Sequence, residues 1–517
     1  MKKIIIYISI VLYLGTSCNP NILDYEDPNS YDTKSYFKTP EEIQQAANAT
    51  YSALMYSGFF GFRWHELFDL QGCEAIVGPG ALGGEVEMIP FSNFEYDQSS
   101  YVVSNFWKFF YRVILRANLT IDKGNEYLAK NGDDAMVTRS IGEAYFLRGW
   151  SYTMLAFNFG RVPLRLQYDQ SGNETASRSN TVDEVWAVAE DDFKQAQSLL
   201  PASWSGDDLG RATAGAATGF LGKLYLYTKQ YDKAEAEFAK MTGYTLNPAE
   251  KWYDQFSERN RNSVESVFEV QLWGYPGTNA FTLFDEAEGP QASPVGRSNL
   301  HHLLYGFNDW VNFGFPTRRM NDFRYTDESG ASYVDPRAKL TFYEEQGGIG
   351  DSIWCEECPD GKRTYTQTPY YKKLTNYEYT EGYAEYGIIS NNIILMRWAD
   401  VLLMRAECAL QGNSRNVAAA LGYINQVRNR IGAFPYQGTY TTDQTFELLK
   451  RERQMELMGE QHRFNDIRRW NILKETLDVE MGVMGKSPIN PKYYLFPIPQ
   501  TEIDLNPGFG AISNNWN

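Results

Sequence analysis

Histidine and cysteine are scarce: four and five residues in a chain of 517. Four histidines leave few candidates for a general base or a metal ligand, and no G-x-S-x-G nucleophile elbow occurs. Cys355-Glu-Glu-Cys358 has zinc-knuckle spacing, but a structural zinc site needs four ligands, and no second C-x-x-C or suitably spaced histidine pair completes it. In an exported protein that pair fits a local disulfide, or else two free thiols. Positive charge is short as well. With 48 Lys plus Arg against 65 Asp plus Glu the net charge is −17, which argues against nucleic acid as a partner, because phosphate neutralisation needs a basic face. Long apolar runs are missing too. The longest, Ile4 to Leu14, has eleven residues, whereas a membrane-spanning helix needs about 20.

That short run reads as an address. Lys2 and Lys3 precede it and Gly15-Thr16-Ser17 are small, the three-part pattern of a secretory leader over residues 1–17. Cys18 follows directly and resembles the lipobox cysteine of bacterial lipoproteins, with Gly15 in place of the usual aliphatic residue. The expectation is that Cys18 is acylated and anchors the mature chain to a membrane. Losing Lys2 and Lys3 but no acid moves the charge from −17 to −19.

What is abundant is aromatic: 36 Tyr, 30 Phe and 12 Trp. With 43% hydrophobic residues the chain buries enough apolar surface to offset the entropy of ordering, so a globular body is expected. After an acidic tether (18–38), Thr39-Pro40-Glu41-Glu42 gives an N-cap, a proline at the first helical position and acids in the first turn. Asn105 to Asp122 and Gly142 to Phe159 have apolar residues at helical spacing, the second stopping at Gly160. Leu221, Gly222, Tyr225, Ala234 and Phe238 match the spacing of a tetratricopeptide repeat. A second helix pair spans Arg397 to Ile431, with a turn at Gly412-Asn413, and Cys408 falls within it as a small core residue. The expected organisation is a helical region over 39–262 with a loop insert at about 58–104, a loop-rich region over 263–389 with few strands such as Val267 to Leu272, and a helical region over 390–517, all in one body. Long loops inside such a body are usually functional.

Motifs for chemistry are weak. Gly78-Pro-Gly80-Ala-Leu-Gly83 satisfies G-x-G-x-x-G but is not followed by a helix, and so reads as a turn. Gly485-Lys486-Ser487 lacks the opening glycine of a P-loop, since Glu480 stands there. His65-Glu66-Leu67-Phe68-Asp69 has Asp where a zinc peptidase needs its second histidine. Glycoside hydrolysis needs only two carboxylates, so it stays open as an alternative, with no pair marked.

The carboxy-terminal third is more specific. Arg397-Trp-Ala-Asp-Val-Leu-Leu-Met-Arg-Ala-Glu407, Ile424-Asn-Gln-Val-Arg-Asn-Arg430, Arg451-Glu-Arg-Gln-Met-Glu-Leu457, His462-Arg-Phe-Asn-Asp-Ile-Arg-Arg-Trp470 and Phe496-Pro-Ile-Pro-Gln-Thr-Glu-Ile-Asp-Leu-Asn-Pro507 resemble, in that order, signatures of the SusD/RagB family of Bacteroidetes nutrient-uptake lipoproteins. Upstream, Tyr36-Phe37, Trp107 with Tyr111, Ala117-Asn118, Phe146-Leu147-Arg148 and Val162-Pro163-Leu164 look like family positions, whereas Cys73 stands where relatives often have an acid. By their own chemistry the charged residues, Arg451, Glu452, Arg453, Glu456, Glu460, Arg463, Asp466 and Arg468, read as structural ion pairs at helical spacing and across helix pairs. Pro497 and Pro499 fix an extended segment over the helical body.

The resemblance implies a mainly α, SusD-like fold in which tetratricopeptide-like helix pairs carry long irregular loops. It also implies a cell-surface, lipid-anchored protein of the outer membrane that captures an oligosaccharide or polysaccharide and passes it to a SusC-like TonB-dependent transporter without cleaving it. No cofactor or metal is implied. The alternatives are a secreted carbohydrate-active enzyme and a protein-interaction scaffold. Sugars present apolar C–H faces ringed by hydroxyls, so their sites need flat aromatics with polar groups at the edge. In the loops, Trp310 is the first candidate, since it lies between Asn308 and Asn312 and precedes the family-like Pro316-Thr317. Trp64 and Trp273 come next, then Phe94, Tyr96, Tyr275 and Phe313, with Asn308 and Arg318 for hydroxyls. Trp107, Trp150, Trp186 and Trp398 sit in helical patterns and are expected in the core. The negative charge favours neutral over uronic or sulphated glycans.

Overall fold

Local capping signals set where the helices begin. In the computed structural model, α1 (Pro40–Leu54) opens with a complete capping box: the Glu42 amide donates to the Thr39 hydroxyl, and the Thr39 amide donates to the Glu42 carboxylate at 3.1 Å. Ser100 caps α2 (Tyr101–Asn131) and Asp134 caps α3 (Ala135–Phe159), which ends at Gly160 with φ +72°. Thr181 and Glu184 form a second capping box on α4 (Val182–Leu199). The structure describes residues 36–55, 60, 63–78, 87–169, 181–272, 301–306, 310–326, 330–343, 369–375, 390–483, 485 and 487–506. Cys18, Trp273, Tyr275, Asn308, Cys355 and Cys358 lie outside them.

Helices α1 to α4 pack side by side. Helix α3 is buried on nearly every face, as expected of the central helix of a large body. The pair α5 (Ala214–Tyr227) and α6 (Tyr231–Phe238) crosses where the sequence places its small residue. A Cβ on Gly222 would stand 2.5 Å from the Phe238 ring, so only glycine allows this approach. Beyond it come α7 (Trp398–Gln411) and α8 (Val417–Arg430), with α7 packed on both α6 and α8. Helix α9 (Thr442–Leu457) lies on α7, and the short helices α10 (Arg463–Arg469) and α11 (Leu473–Val483) follow. Among the described residues no helix is long and apolar enough to cross a membrane.

Strands are few and come in antiparallel pairs: β1 (Ile76–Val77) with β3 (Phe313–Gly314), β2 (Ser266–Val270) with β8 (Ile393–Arg397), β4 (Arg324–Thr326) with β5 (Ser332–Val334), and β6 (Phe342–Tyr343) with β7 (Tyr370–Tyr371). The β2–β8 pair brackets the loop-rich region and leads straight into α7. One core cluster runs from Ala53 to Ile498 and unites both helical regions. The proline-bound tail closes it: Phe496 and Ile498 are buried, and the Phe496 amide donates to the Asn158 carbonyl at 2.7 Å. Trp107 and Trp150 are buried here, with Trp186 and Trp398 packed against its edge.

Candidate functional site

Trp310 is partly exposed at the end of the β1–β3 pair. The segment that carries it is fastened by backbone contacts. Gly78 donates its amide to the Asn312 carbonyl at 2.8 Å, and a Cβ at Gly78 would sit 2.1 Å from the Val311 carbonyl, so the two chains meet this closely only because residue 78 is glycine. Val311 takes a left-handed φ of +52°, which turns the chain between Trp310 and the buried Asn312 and Phe313. The indole packs, with Val77 and Met320, on a second apolar cluster that includes Tyr305, Phe313, Phe315, Phe342 and Tyr371. One part of the ring thus rests on buried aromatics while another part stays exposed.

Below Phe313 lies a buried polar group. Tyr305 stacks on Phe313 at 4.8 Å and its hydroxyl donates to Asp69. His65 Nδ1 is 3.0 Å from the same Asp69 oxygen, and Gln461 donates to it at 2.9 Å. The His65 and His301 rings meet edge to face at 4.0 Å. Burial, then the neighbouring His65, holds the His301 pKa well below its ordinary value. Burial and the charge of Asp69 push Glu74 up to about 8. Among the described residues no set of three or more His, Cys, Asp or Glu side chains is arranged to hold a metal, and His65 and Asp69 serve each other.

Four candidates lie buried. Trp64 is 5% exposed, packed among Phe60, Phe68 and Trp150; Phe94 is 5% exposed against Tyr493; Tyr96 is 4% exposed, stacked at 4.2 Å on Phe91 with its hydroxyl on Gln71; Phe313 is 1% exposed. Each ring gains more by leaving water in the core than a loop surface offers it, and as placed none shows a face to a ligand. Arg318 is also drawn inward, with its guanidinium paired to Glu480. Cys73 is buried at φ +54°, and burial raises its thiol to about 11. Among the described aromatic candidates, Trp310 is the one that stays partly exposed.

The motif charges build something larger than pairs along one helix. Five cations (Arg337, Lys373, Arg397, Arg428, Arg430) meet five acids (Glu265, Asp335, Glu452, Glu456, Glu460), with side chains no more than 4% exposed. Glu456 sits at the centre, 2.9 Å from Arg337, 2.7 Å from Arg397 and 2.6 Å from Arg430. Burial alone would raise its carboxyl, but these arginines outweigh burial and hold it well below the ordinary carboxylate range. Glu265, Asp335, Arg337 and Lys373 fall within 263–389, and the other acids and arginines belong to the carboxy-terminal elements from β8 onward, so this seam ties the Trp310-bearing region to the scaffold. The spacing of Glu452, Glu456 and Glu460 signals an acidic helix face, but their partners lie too far along the chain to be read from it.

Comparison with known proteins agrees with this architecture. Residues 225–515 match the profile of the SusD family, and residues 80–226 match a profile described as "Starch-binding associating with outer membrane". SusD-like protein P25 of Formosa agariphila is 24% identical, covering 98% of this chain and 97% of its own. A crystal structure of a SusD superfamily protein from Bacteroides vulgatus superimposes with a TM-score of 0.73 at 26% identity, covering 92% of this chain and 99% of the other. A structure named as a laminarin-binding SusD-like protein gives 0.70 at 22% identity, covering 90% and 97%. With its mostly helical body, its inserted loop region and a profile match over more than half its length, the chain belongs to the SusD family.

Proposed function

We propose that this protein is a surface glycan-binding lipoprotein that captures an oligosaccharide or polysaccharide and hands it to a SusC-like TonB-dependent transporter in the outer membrane, without cleaving it. The observation that carries the reading is Trp310, a partly exposed indole beside the β1–β3 pair, packed on its own apolar cluster. A sugar ring stacks on such a face, and a pre-ordered ring spends little entropy on binding. The laminarin-binding neighbour supports saccharide as the ligand class. The profile naming outer-membrane association supports the location, and acylation of Cys18 supplies the anchor.

Against hydrolysis, Asp69 Oδ2 is taken by His65, Tyr305 and Gln461, and Glu456 by three arginines. Affinity electrophoresis in gels containing laminarin, xylan or starch tests it. Retarded migration without new reducing ends supports capture, and Trp310→Ala restores free migration. New reducing ends, or retention indifferent to Trp310→Ala, oppose it.

A further inference from the structure

Among the arginines of α10 and its partners, Arg463 stands apart. Arg453 and Arg469 share Asp466 at 2.8 Å each, and Arg468 donates to Asn158 and Asn465 at 2.7 Å. Among the described residues nothing accepts from the Arg463 guanidinium. Its Nε is buried without a partner, whereas its two terminal nitrogens, equally unbonded, are not sealed from solvent, and the residue is partly exposed. A cation drawn partly out of water without a counter-charge is costly. Burial, then the neighbouring Arg319, holds its pKa below the ordinary value.

Two more arginines stand close by. Cys73 feels the charges of Arg318, Arg319 and Arg463 together with that of Glu480, so the three guanidinia gather around one buried thiol. The acids there do not balance them. Glu480 is shared by Arg318 and Arg319, and Asp322 is divided between Arg319 at 3.3 Å and Gln454 at 2.7 Å. Asp466 also faces Arg463 but is taken by Arg453 and Arg469. Glu74, the remaining acid, is pushed up to about 8 by burial and Asp69, so at neutral pH it is mostly protonated, as is the Cys73 thiol at about 11. Three positive charges thus meet two negative ones.

This surplus borders the Trp310 platform. Arg319 donates from Nε to the Cys73 carbonyl at 3.2 Å and precedes Met320, which packs with Trp310 and Val77 on one apolar cluster. Ala75, two residues past Cys73, belongs to the same cluster, and the Glu74 carbonyl between them accepts the Tyr371 hydroxyl. The net charge of the whole chain disfavours acidic ligands at long range, but at this spot the local balance is reversed.

We infer that Arg463 is the centre of an anion site that takes one carboxylate or sulphate group of an acidic saccharide, beside the ring stacked on Trp310. A guanidinium with unbonded terminal nitrogens matches either group as a bidentate fork. The inference rests on the glycan-capture reading above and gives it a ligand class.

Calorimetry of the mature chain at pH 7 with hexagalacturonate, sodium sulphate and laminarihexaose tests it. Hexagalacturonate is expected to bind. Arg463→Gln weakens it about ten-fold or more, the loss of a charge-assisted pair, and leaves any binding of laminarihexaose unchanged. Cys73→Asp supplies an internal carboxylate at a left-handed position, φ +54°, that Asp tolerates; it is expected to raise the thermal midpoint and to abolish hexagalacturonate binding. The pH profile adds a signature that lost packing would not. Glu74, which faces Asp69, Arg319, Arg463, Tyr305 and Tyr371, ionises as pH rises through about 8, so affinity falls there in the wild type and not in Glu74→Gln. Hexagalacturonate bound alike by wild type and Arg463→Gln overturns the site. Sulphate binding that Arg463→Gln removes, without any binding of hexagalacturonate, means a free inorganic ion only and overturns the saccharide assignment. Laminarihexaose bound while neither anion binds overturns the inference and leaves glycan capture standing. Silence with all three overturns the inference as well.

Discussion

Phe106 and Glu456 are both fully buried, yet opposite chemistry surrounds them. Phe106, in α2, touches the rings of Phe110, Phe159 and Phe496 at 4.8, 5.6 and 5.7 Å between centroids. Glu456, in α9, touches three arginines and accepts from the Trp252 indole at 3.1 Å. The aromatic region gains from every ring taken out of water and needs no particular partner. The ionic seam gains little over an apolar filling of the same shape, but it tolerates no missing member. An aromatic core therefore suits a body that must be stable. A buried ion network suits a junction that must form in one register, and here it joins the loop-rich region that carries Trp310 to the helices.

The sharpest way to break that contrast is Glu456→Ala. It leaves Arg337, Arg397 and Arg430 one shared acid short in a dry site, although each keeps another carboxylate, and a loss of about 5 kcal/mol in urea unfolding is expected. A loss below that of a surface substitution would mean that water enters the seam. Phe106→Ala leaves a cavity among rings and costs about 4 kcal/mol. Its effect is uniform with pH, which the first is not. Glu456 has a folded pKa well below its unfolded one, so its contribution is complete above about pH 4.5 and fades as pH falls. Acid thus narrows the gap between wild type and Glu456→Ala and leaves the gap for Phe106→Ala unchanged.

Glu74 runs the other way. Its folded pKa, about 8, lies above the unfolded value, so its contribution is present in acid and is lost as pH rises from about 4.5 through 8. Glu74→Gln flattens the stability profile over that window by about 2 kcal/mol at its alkaline end, discounted for relaxation around the new charge; an unchanged slope contradicts the assignment. Trp310→Ala has the smallest effect on folding, within about 1 kcal/mol, because the ring is only partly covered. Its effect is on binding.

The local part of this structure was legible in the sequence. Thr39-Pro40-Glu41-Glu42 starts a helix by bonds that span three residues, Gly160 ends one, and Gly222 faces Phe238 across a single turn. The tail prolines mark the segment that seals the core. Long-range pairing was not legible: Arg337 meets Glu456 across 119 residues, and nothing in either neighbourhood names the other. The burial of the loop aromatics was hidden for a related reason. Composition placed Trp64, Phe94, Tyr96 and Phe313 in irregular segments, but the side on which each ring lies depends on helix α2 and the tail packing from beneath. Trp310 differs through the left-handed Val311 beside it, a turn that no composition or period reveals.

The most direct test of the account is a crystal structure of the mature chain with a hexasaccharide that its gel retains. The account predicts a pyranose ring stacked on the indole of Trp310, with the glycosidic bonds intact. A bound sugar that leaves Trp310 uncovered, or a cleaved one, contradicts it.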